Sequence, residues 1–507
     1  NPINSSNPHF KELVLAAGAL KQCDHSASAG IFKVNTLKDK HFDFLYQEQW
    51  IPYYHQKKAS ETIGNIVLIA PTGSGKTEAS LMWLHKQIKK YGQGRTFYIL
   101  PYTASINAMY ERLNDRMQGN NEIVGLIHGK LSEYIENKFG EELYSTQNEK
   151  LKKEIKENYR ALVPPLKVTT PFQLFKSIFG LKGFEKGIFE MSGGYFIFDE
   201  IHAYDPEVIA QIKVLLEFAI HYLNVNVCLM TATLPTFLKN KLCEVMQPLT
   251  EICADDNLYK KYIRHKIRVA KGLLSENISI IQQRLERGDK VLVVCNTVKQ
   301  AQSIYQLLDS PNKVLLHGAF NGRDRNKKED KLKSENVKLL VGTQAIEVSL
   351  DIDYDVLFTE PAPLDALLQR FGRVNRHRIN DTFRPPCDCI VYSERNDKDK
   401  YIYRNEEVIR RTMHVLQEIE SKNEGIVFEK DLQHYLDFVY PEWSKNEEDD
   451  FDRVYNSLND FVKNNLVPFI YDPHSEEEFE NQFDGIKVVP SILKNDYINL
   501  LNSNQFI

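Results

Sequence analysis

Short, continuous apolar runs recur along the sequence and are separated by charged stretches with helical periodicity. One series contains NIVLIA (65–70), TFYIL, YFIFDE and NVCLMTAT, and a second series begins with VLVVCNT at 291–297. Runs this short fit strands that are buried on both faces, as in parallel sheets covered by helices. The pattern therefore predicts an α/β fold with two tandem parallel sheets, separated by the polar stretch at 250–285.

Composition narrows the class of protein further. Of 507 residues, 42% are hydrophobic and 26% are charged, as in soluble globular proteins, so a disordered, collagen-like or disulfide-framework chain is excluded. We expect no membrane partner, because no apolar run approaches the ~18 residues of a membrane span. The start lacks the pattern of a secretory signal, and seven scattered cysteines favour a reducing, cytoplasmic compartment. The net charge of −5 means that a nucleic acid would have to bind a local basic groove.

A glycine-rich loop, APTGSGKT at 70–77, follows the first strand and opens a helical pattern. Gly73, Ser74 and Gly75 would let backbone N–H groups surround an anion. Lys76 would reach the β- and γ-phosphates, and the Thr77 hydroxyl would hold Mg²⁺. A random glycine-rich turn is the alternative, but the strand–loop–helix context favours ATP and Mg²⁺ as ligands.

Two further strand ends carry candidate catalytic chemistry. YFIFDEIH places Asp199 and Glu200 directly after a strand. Asp199 would complete the Mg²⁺ shell, and Glu200 would orient the attacking water. Alone, such an acidic pair is more often a loop cap. MTATLP ends the next strand, and the hydroxyls of Thr231 and Thr233 could relay the nucleotide state toward the acidic pair.

The second unit contains QRFGRVNRH at 369–377. Arg370, Arg373 and Arg376 are predicted on one helix, where their spacing keeps neighbouring arginines on a common side. Arg373 and Arg376 would cross an interdomain cleft as arginine fingers, with Gln369 beside them. The alternative is a solvated cationic helix face.

Taken in order, APTGSGKT, FDEIHAYD, MTATLP, VGTQAIEVSLD and QRFGRVNR resemble the motif series of superfamily-two nucleic-acid helicases. Together with LPYTASINAMYERL and VTTPFQLF, they resemble the CRISPR-associated helicase–nuclease of type I systems. The resemblance spans roughly residues 45–380 and implies a prokaryotic protein. It implies an ATP-driven 3′-to-5′ translocase on single-stranded DNA, recruited in antiviral defence by a guide-RNA effector complex of the Cascade type.

The resemblance also assigns residues. It makes Gln49 the adenine contact, with Gln47 nearly as good. It places a set of polar residues along the DNA track, namely Thr103, Thr169, Thr170, Thr343 and Gln344. Arg323 and Arg325 in HGAFNGRDR would contact phosphates, against an equally weighted alternative as loop surface.

By resemblance, the chain divides into four parts: residues 1–35 close an N-terminal HD nuclease domain and form a linker, 36–255 and 256–398 are RecA-like domains, and 399–507 form a mainly helical C-terminal accessory domain. In 1–35, Asp24 stands at the position of the last metal ligand. No histidine is followed by aspartate, although the family's nuclease uses a His-Asp dipeptide. We therefore expect no nuclease activity from this chain alone, and a transition metal only where another chain supplies the HD domain.

Two other functions stay open from the residues. One is the motor of a DNA restriction or RNA-remodelling system. The other is a nucleotide-gated scaffold with little turnover, which would have no use for a complete hydrolytic set of residues.

Overall fold

Two all-parallel β-sheets organise the protein. The computed structural model describes residues 4–28, 30–31, 34–47, 49–117, 122–127, 164–334, 336–347, 351–377 and 383–471, with residues 479, 494 and 498. Within them, one sheet has seven strands and the other has six, and every strand pairing in both sheets is parallel. The predicted α/β fold with two parallel sheets is confirmed.

The first sheet and the helices that cover it are called the first lobe. Its strand order is β3-β4-β2-β5-β6-β1-β7. Its strands are β1 (Asn65–Ile69), β2 (Thr96–Ile99), β3 (Val124–Ile127), β4 (Leu166–Thr169), β5 (Tyr195–Asp199), β6 (Asn226–Thr231) and β7 (Leu249–Cys253). Asp199 pairs with Met230, and Ile69 pairs with Thr231. The carboxyl ends of β5, β6 and β1 therefore meet at one edge, where ligands of open parallel sheets bind.

The second sheet and the helices that cover it are called the second lobe. Its strand order is β10-β11-β9-β12-β13-β8. Its strands are β8 (His265–Ala270), β9 (Val291–Val294), β10 (Lys313–Leu316), β11 (Leu339–Gly342), β12 (Val356–Thr359) and β13 (Cys387–Tyr392).

The apolar runs of the two series are all strands, but five other strands of the described residues lack that pattern, namely β3, β4, β7, β8 and β13. Two of them, β7 and β8, lie within the polar stretch at 250–285 or at its border, and each is the edge strand of its sheet. Edge strands are half solvated and need no continuous apolar run. In β4, the buried Lys167 interrupts the run, and its ammonium pairs with Glu190.

Helices cover both sheets. The α-helices of the described residues are α1 (Phe10–Ser28), α2 (Tyr54–Glu61), α3 (Lys76–Tyr91), α4 (Thr103–Arg116), α5 (Pro171–Ile178), α6 (Phe184–Met191), α7 (Pro206–Leu223), α8 (Thr236–Cys243), α9 (Asp256–Lys261), α10 (Ile278–Glu286), α11 (Val298–Leu307), α12 (Gly322–Ser334), α13 (Leu364–Phe371), α14 (Glu406–Lys422), α15 (Leu432–Val439) and α16 (Lys445–Asp460). Short 3₁₀ segments lie at Asp39–Leu45, Ile201–Ala203, Glu244–Met246, Leu274–Glu276, Gln344–Ile346, Asp397–Tyr401 and Glu429–Asp431, and a π-helical turn lies at Phe461–Asn465. Within this part of the chain, every helix is too short or too polar to traverse a lipid bilayer.

The terminal helices are shared between the lobes. Helix α16 buries Phe451 and Leu458 in the core of the first lobe, where Phe10 and Val14 of α1 are also buried. Helices α14 and α15 instead pack into the core of the second lobe. The segment 399–471 is therefore mainly helical, as expected, but its helices extend both cores.

Candidate functional site: a nucleotide cleft between the lobes

The glycine-rich loop curls as the sequence predicts. Gly73 has φ 83° and Gly75 has φ 84°, a left-handed conformation that side chains with a Cβ rarely adopt. Lys76 begins α3, is buried, and donates through Nζ to the carbonyl oxygens of Ala70 and Pro71 at 3.0 and 3.3 Å. Burial lowers the pKa of Lys76, whereas the charges of Glu200 and Asp199 raise it. The lysine thus lies within the field of both predicted carboxylates.

A glutamine that was not among the predicted site residues contacts this loop. Gln56 of α2 is buried; its Oε1 accepts from the backbone N–H of Tyr53, and its Nε2 donates to the carbonyl of Gly75 at 3.2 Å. A Cβ at Gly75 would lie 2.3 Å from that amide nitrogen. Gln49 and Gln47 are exposed in the segment before α2. The structure therefore places Gln56, and not Gln49, against the loop.

The acidic pair ends β5 as predicted. The hydroxyl of Tyr98 donates to Oδ2 of Asp199 at 3.0 Å, and burial together with the neighbouring Glu200 raises the pKa of Asp199. Glu200 has φ 55°, a strained backbone for a non-glycine residue that is typical of functional sites. The strand therefore delivers two partly exposed carboxylates beside Lys76.

A chain of contacts leads from Glu200 into the second lobe. Glu200 Oε2 lies 3.2 Å from His202 Nε2, and Gln369 Nε2 lies 3.1 Å from the same imidazole nitrogen. Gln369 belongs to α13 of the second lobe. His202 was not among the predicted site residues, although it lies only two residues after Glu200 in the DEIH sequence.

The three arginines do not share one helix face. Helix α13 ends at Phe371, so Arg373 and Arg376 lie in the turn that follows. Asn375 takes φ 50° there, and its side chain donates to the carbonyl of Arg264. The helix that the spacing predicted has therefore ended before Arg373, and the turn continues through this left-handed residue.

Arg370, the first arginine, is structural. It is fully buried and donates to Glu347, to the Thr359 hydroxyl and to Asn296 Oδ1. The guanidinium holds together the carboxyl ends of several second-lobe strands, so the predicted cationic face is reduced to Arg373 and Arg376.

Those two arginines face the first lobe. Arg373 is buried; burial and the charge of Arg376 lower its pKa, while Glu200 opposes that shift. Arg376 lines a cavity of about 310 Å³ together with Thr72 and Gly73 of the glycine-rich loop. Both lobes therefore contribute to one cleft.

The predicted relay threonines lie beside the glycine-rich loop. Thr231 ends β6, its Oγ1 accepts from the N–H of Thr233 at 3.0 Å, and its carbonyl accepts from Ala70 N–H at 3.3 Å. These bonds connect the threonines to the start of the loop.

The residues predicted along a DNA track follow strand ends of both sheets. Thr103 begins α4 just after β2, and Arg323 and Arg325 lie in α12 after β10. The others lie at or just after the ends of β4 and β11, namely Thr169, Thr170, Thr343 and Gln344. The Thr169 hydroxyl donates to Ile127 O at 3.0 Å, and Arg325 pairs with Glu329 at 2.7 Å. Arg323 is exposed.

Comparison with known proteins shows which families resemble this chain. The family model "DEAD/DEAH box helicase" matches residues 46–240, and "CRISPR-associated nuclease/helicase Cas3, C-terminal" matches residues 287–379. The Cas3 of Methanothermobacter thermautotrophicus is 28% identical over 81% of this chain and 51% of its own length. The Cas3 of Escherichia coli is 29% identical over 77% of this chain and 50% of its own length. Over both lobes, the chain is therefore similar to Cas3 helicases.

Solved structures show the same fold. T. fusca Cas3 with ATP superposes with a TM-score of 0.66 at 20% identity, covering 91% of this chain and 60% of that one. A CRISPR RNA-guided surveillance complex in a pre-nicking state contains a chain that superposes with a TM-score of 0.56 at 20% identity. The match covers 83% of this chain and 55% of that one. The chain thus has the fold of two tandem RecA-like domains, and it spans about half the length of the curated relatives it matches.

The residues of this cleft fit ATP with Mg²⁺. The buried Ser74 hydroxyl has no hydrogen-bond partner among the described residues, as expected of a polar atom that awaits a ligand. Thr77 and Asp199, both close to Tyr98, would supply the hydroxyl and carboxylate oxygens that Mg²⁺ prefers.

Asp24, the predicted remnant of an HD domain, is exposed on α1. Within the described ranges, no three His, Cys, Asp or Glu side chains cluster closely enough to hold a metal.

Proposed function

We propose that the chain is an ATP-driven 3′-to-5′ translocase and helicase on single-stranded DNA. It acts in CRISPR type I antiviral defence after recruitment by a guide-RNA effector complex of the Cascade type. The observation that supports this most directly is the cavity lined by both the glycine-rich loop and Arg376. A motor needs such a site, since ATP can close two lobes only by contacting both.

Each residue has a chemical role in this proposal. The loop amides and Lys76 bind the phosphates, and Glu200 orients the attacking water. Arg373 and Arg376 stabilise the charge that develops on the γ-phosphoryl group. Mg²⁺ held by Thr77 and Asp199 would neutralise phosphate charge. Gln56 is the residue that we assign to adenine-side recognition in place of Gln49.

Movement along DNA would follow from opening and closing of the cleft. The contact between Gln369 and His202 links the second lobe to Glu200. The polar residues at the strand ends of both sheets would grip sugar and phosphate, which requires no sequence reading. Alternate gripping by the two lobes then converts hydrolysis into steps.

ATPase assays of the purified chain with single-stranded DNA, duplex DNA and RNA test the proposal. We expect stimulation by single-stranded DNA, complete loss in Lys76→Ala, and normal activity in Lys90→Ala, an exposed lysine of the same helix. Strand displacement should require a 3′ tail. Preference for RNA would instead favour an RNA-remodelling motor, and background turnover with every nucleic acid would favour the scaffold.

We further propose that DNA cleavage is supplied from outside these residues, by an HD nuclease domain or a separate HD nuclease chain. The basis is the absence of a His-Asp dipeptide from the sequence. Incubation of the purified chain with single-stranded DNA and a transition metal should give no nicks; metal-dependent nicking would contradict this proposal.

A further inference from the structure

An additional arginine lies in the nucleotide cleft. Arg264 stands just before β8, in the segment that connects the lobes. It lines the same 310 Å³ cavity as Thr72, Gly73 and Arg376. The sequence motifs do not include it, because no glycine-rich loop or strand-end signature surrounds it.

The guanidinium of Arg264 is fixed from several sides. Its Nη2 donates to Glu429 Oε1 at 2.5 Å, and the two side chains are only 4% and 9% exposed. The guanidinium carbon lies 5.5 Å from the ring centroids of both Tyr262 and Phe383. Planar guanidinium groups stack on aromatic rings in this way and lose little freedom when they bind phosphate.

The surroundings of Arg264 are tied to both halves of the cleft. The Tyr262 hydroxyl donates to Gly73 O in the glycine-rich loop at 2.9 Å. The carbonyl of Arg264 accepts from Asn375, one residue before Arg376, at 3.0 Å. The charge of Arg264 also contributes to lowering the pKa of Lys76. Arg264 is therefore hydrogen-bonded to the arginine turn and is electrostatically coupled to Lys76.

Arg264 keeps one N–H donor that its ion pair with Glu429 does not use. Its Nε is buried and has no hydrogen-bond partner among the described residues, although guanidinium donors at buried positions are normally satisfied. Arg264 is thus a buried cation that lines a cavity beside the glycine-rich loop and has an N–H without a partner. These properties suit the binding of an anionic ligand.

We propose that Arg264 is a third cleft arginine that contacts the terminal phosphate of bound ATP, and that Glu429 is the positioning residue that orients it. The proposal rests on the proposed function, since it requires ATP in this cleft. It adds a link from the nucleotide to the segment between α14 and α15, because Glu429 lies there.

Binding of fluorescent ATP and ADP analogues to the purified chain separates this role from a structural one. Arg264→Gln should weaken ATP binding by about tenfold or more, as for loss of a charged hydrogen bond, and leave ADP binding unchanged. Glu429→Gln should weaken ATP binding by a smaller factor than Arg264→Gln does, and should likewise leave ADP binding unchanged. Arg268→Gln is the matched control: Arg268 lies on β8, half exposed, and pairs with Asp388.

Because Arg264→Gln leaves Glu429 buried without its partner, the double variant Arg264→Gln/Glu429→Gln is measured as well. It should show the same loss of discrimination between ATP and ADP at a wild-type melting temperature. Equal ATP-to-ADP affinity ratios in wild type and both Arg264 variants would overturn the inference. Failure of the wild-type chain to bind ATP at all would instead refute the proposed function.

Discussion

At the scale of single residues, Gln56 connects α2 to the glycine-rich loop. Its side-chain oxygen accepts a hydrogen bond from Tyr53 N–H, and its side-chain nitrogen donates one to Gly75 O. Gln56→Ala should raise the KM for ATP about threefold to tenfold, the effect of one or two lost hydrogen bonds. Gln49→Ala, at an exposed position, should leave steady-state ATPase kinetics unchanged. The reverse outcome would restore Gln49 as the nucleotide contact.

His202 is the second residue with a measurable role. It lies between Glu200 and Gln369, so His202→Ala should reduce DNA-stimulated kcat by about tenfold while ATP binding persists. Gln369→Ala should give a similar loss, and the double variant should be little worse, because both act through one contact. Additive losses would show that they act separately. His221→Ala, exposed on α7, is the control.

The buried carboxyl of Glu360 predicts a pH dependence of stability. Burial, and secondarily the charge of Asp399, raises the pKa of Glu360 from 4.5 to about 7. The folded protein holds this proton more tightly than the unfolded chain, so its contribution to stability is lost as pH rises toward 7.

Glu360→Gln removes that titration. Relative to wild type, the variant should gain stability, by up to about 3 kcal/mol, between about pH 4.5 and 7.5. Melting temperatures across this range measure the difference. A difference that stays constant with pH would show that Glu360 has an ordinary pKa.

At the scale of elements, α15 joins the two lobes. Asp437 accepts from the backbone N–H and the hydroxyl of Thr236 at 2.7 and 2.8 Å, and Gln433 donates to Leu234 O at 2.9 Å. Thr236 begins α8 of the first lobe. The helix therefore caps α8 and holds the segment that follows Thr233.

Asp437→Ala should lower the melting temperature by about 2–4 °C, since it leaves a helix-terminal N–H without its acceptor. Hydrogen exchange at the start of α8 should accelerate. His434→Ala, at an exposed position of the same helix, should change neither. Unaltered exchange in Asp437→Ala would mean that α15 does not stabilise this junction.

At the scale of the whole molecule, α1 is part of the first lobe. Phe10 is 1% exposed, and its ring lies 6.5 Å from that of Phe218 in α7. Lys21 pairs with Glu185 of α6 at 2.7 Å, and Ser5 donates to Val462 O at 2.6 Å. These contacts join both ends of the described chain to the first lobe.

Phe10→Ala should destabilise the first lobe by about 3–5 kcal/mol, as deletion of a buried ring does. Leu20→Ala, which is 70% exposed on the same helix, should change stability by about 0.5 kcal/mol or less. Thermal unfolding measures both. An unchanged melting temperature in Phe10→Ala would assign α1 to a unit that unfolds separately.

The sequence alone determined the parts whose chemistry is local. The glycine-rich loop, the acidic pair and the central strands are contiguous patterns, because backbone conformation and strand burial depend mainly on neighbouring residues. Five strands escaped this reasoning: most are edge strands or carry polar residues, and their pairing is set by partners far along the chain.

Only the tertiary structure decided which distant residues meet. It placed Gln56 rather than Gln49 at the loop, ended α13 before Arg373, buried Arg370 as a structural cation, and brought Arg264 and Arg376 to the loop at Gly73. Such contacts join residues widely separated in sequence. They depend on how two lobes pack, and no local pattern records that packing.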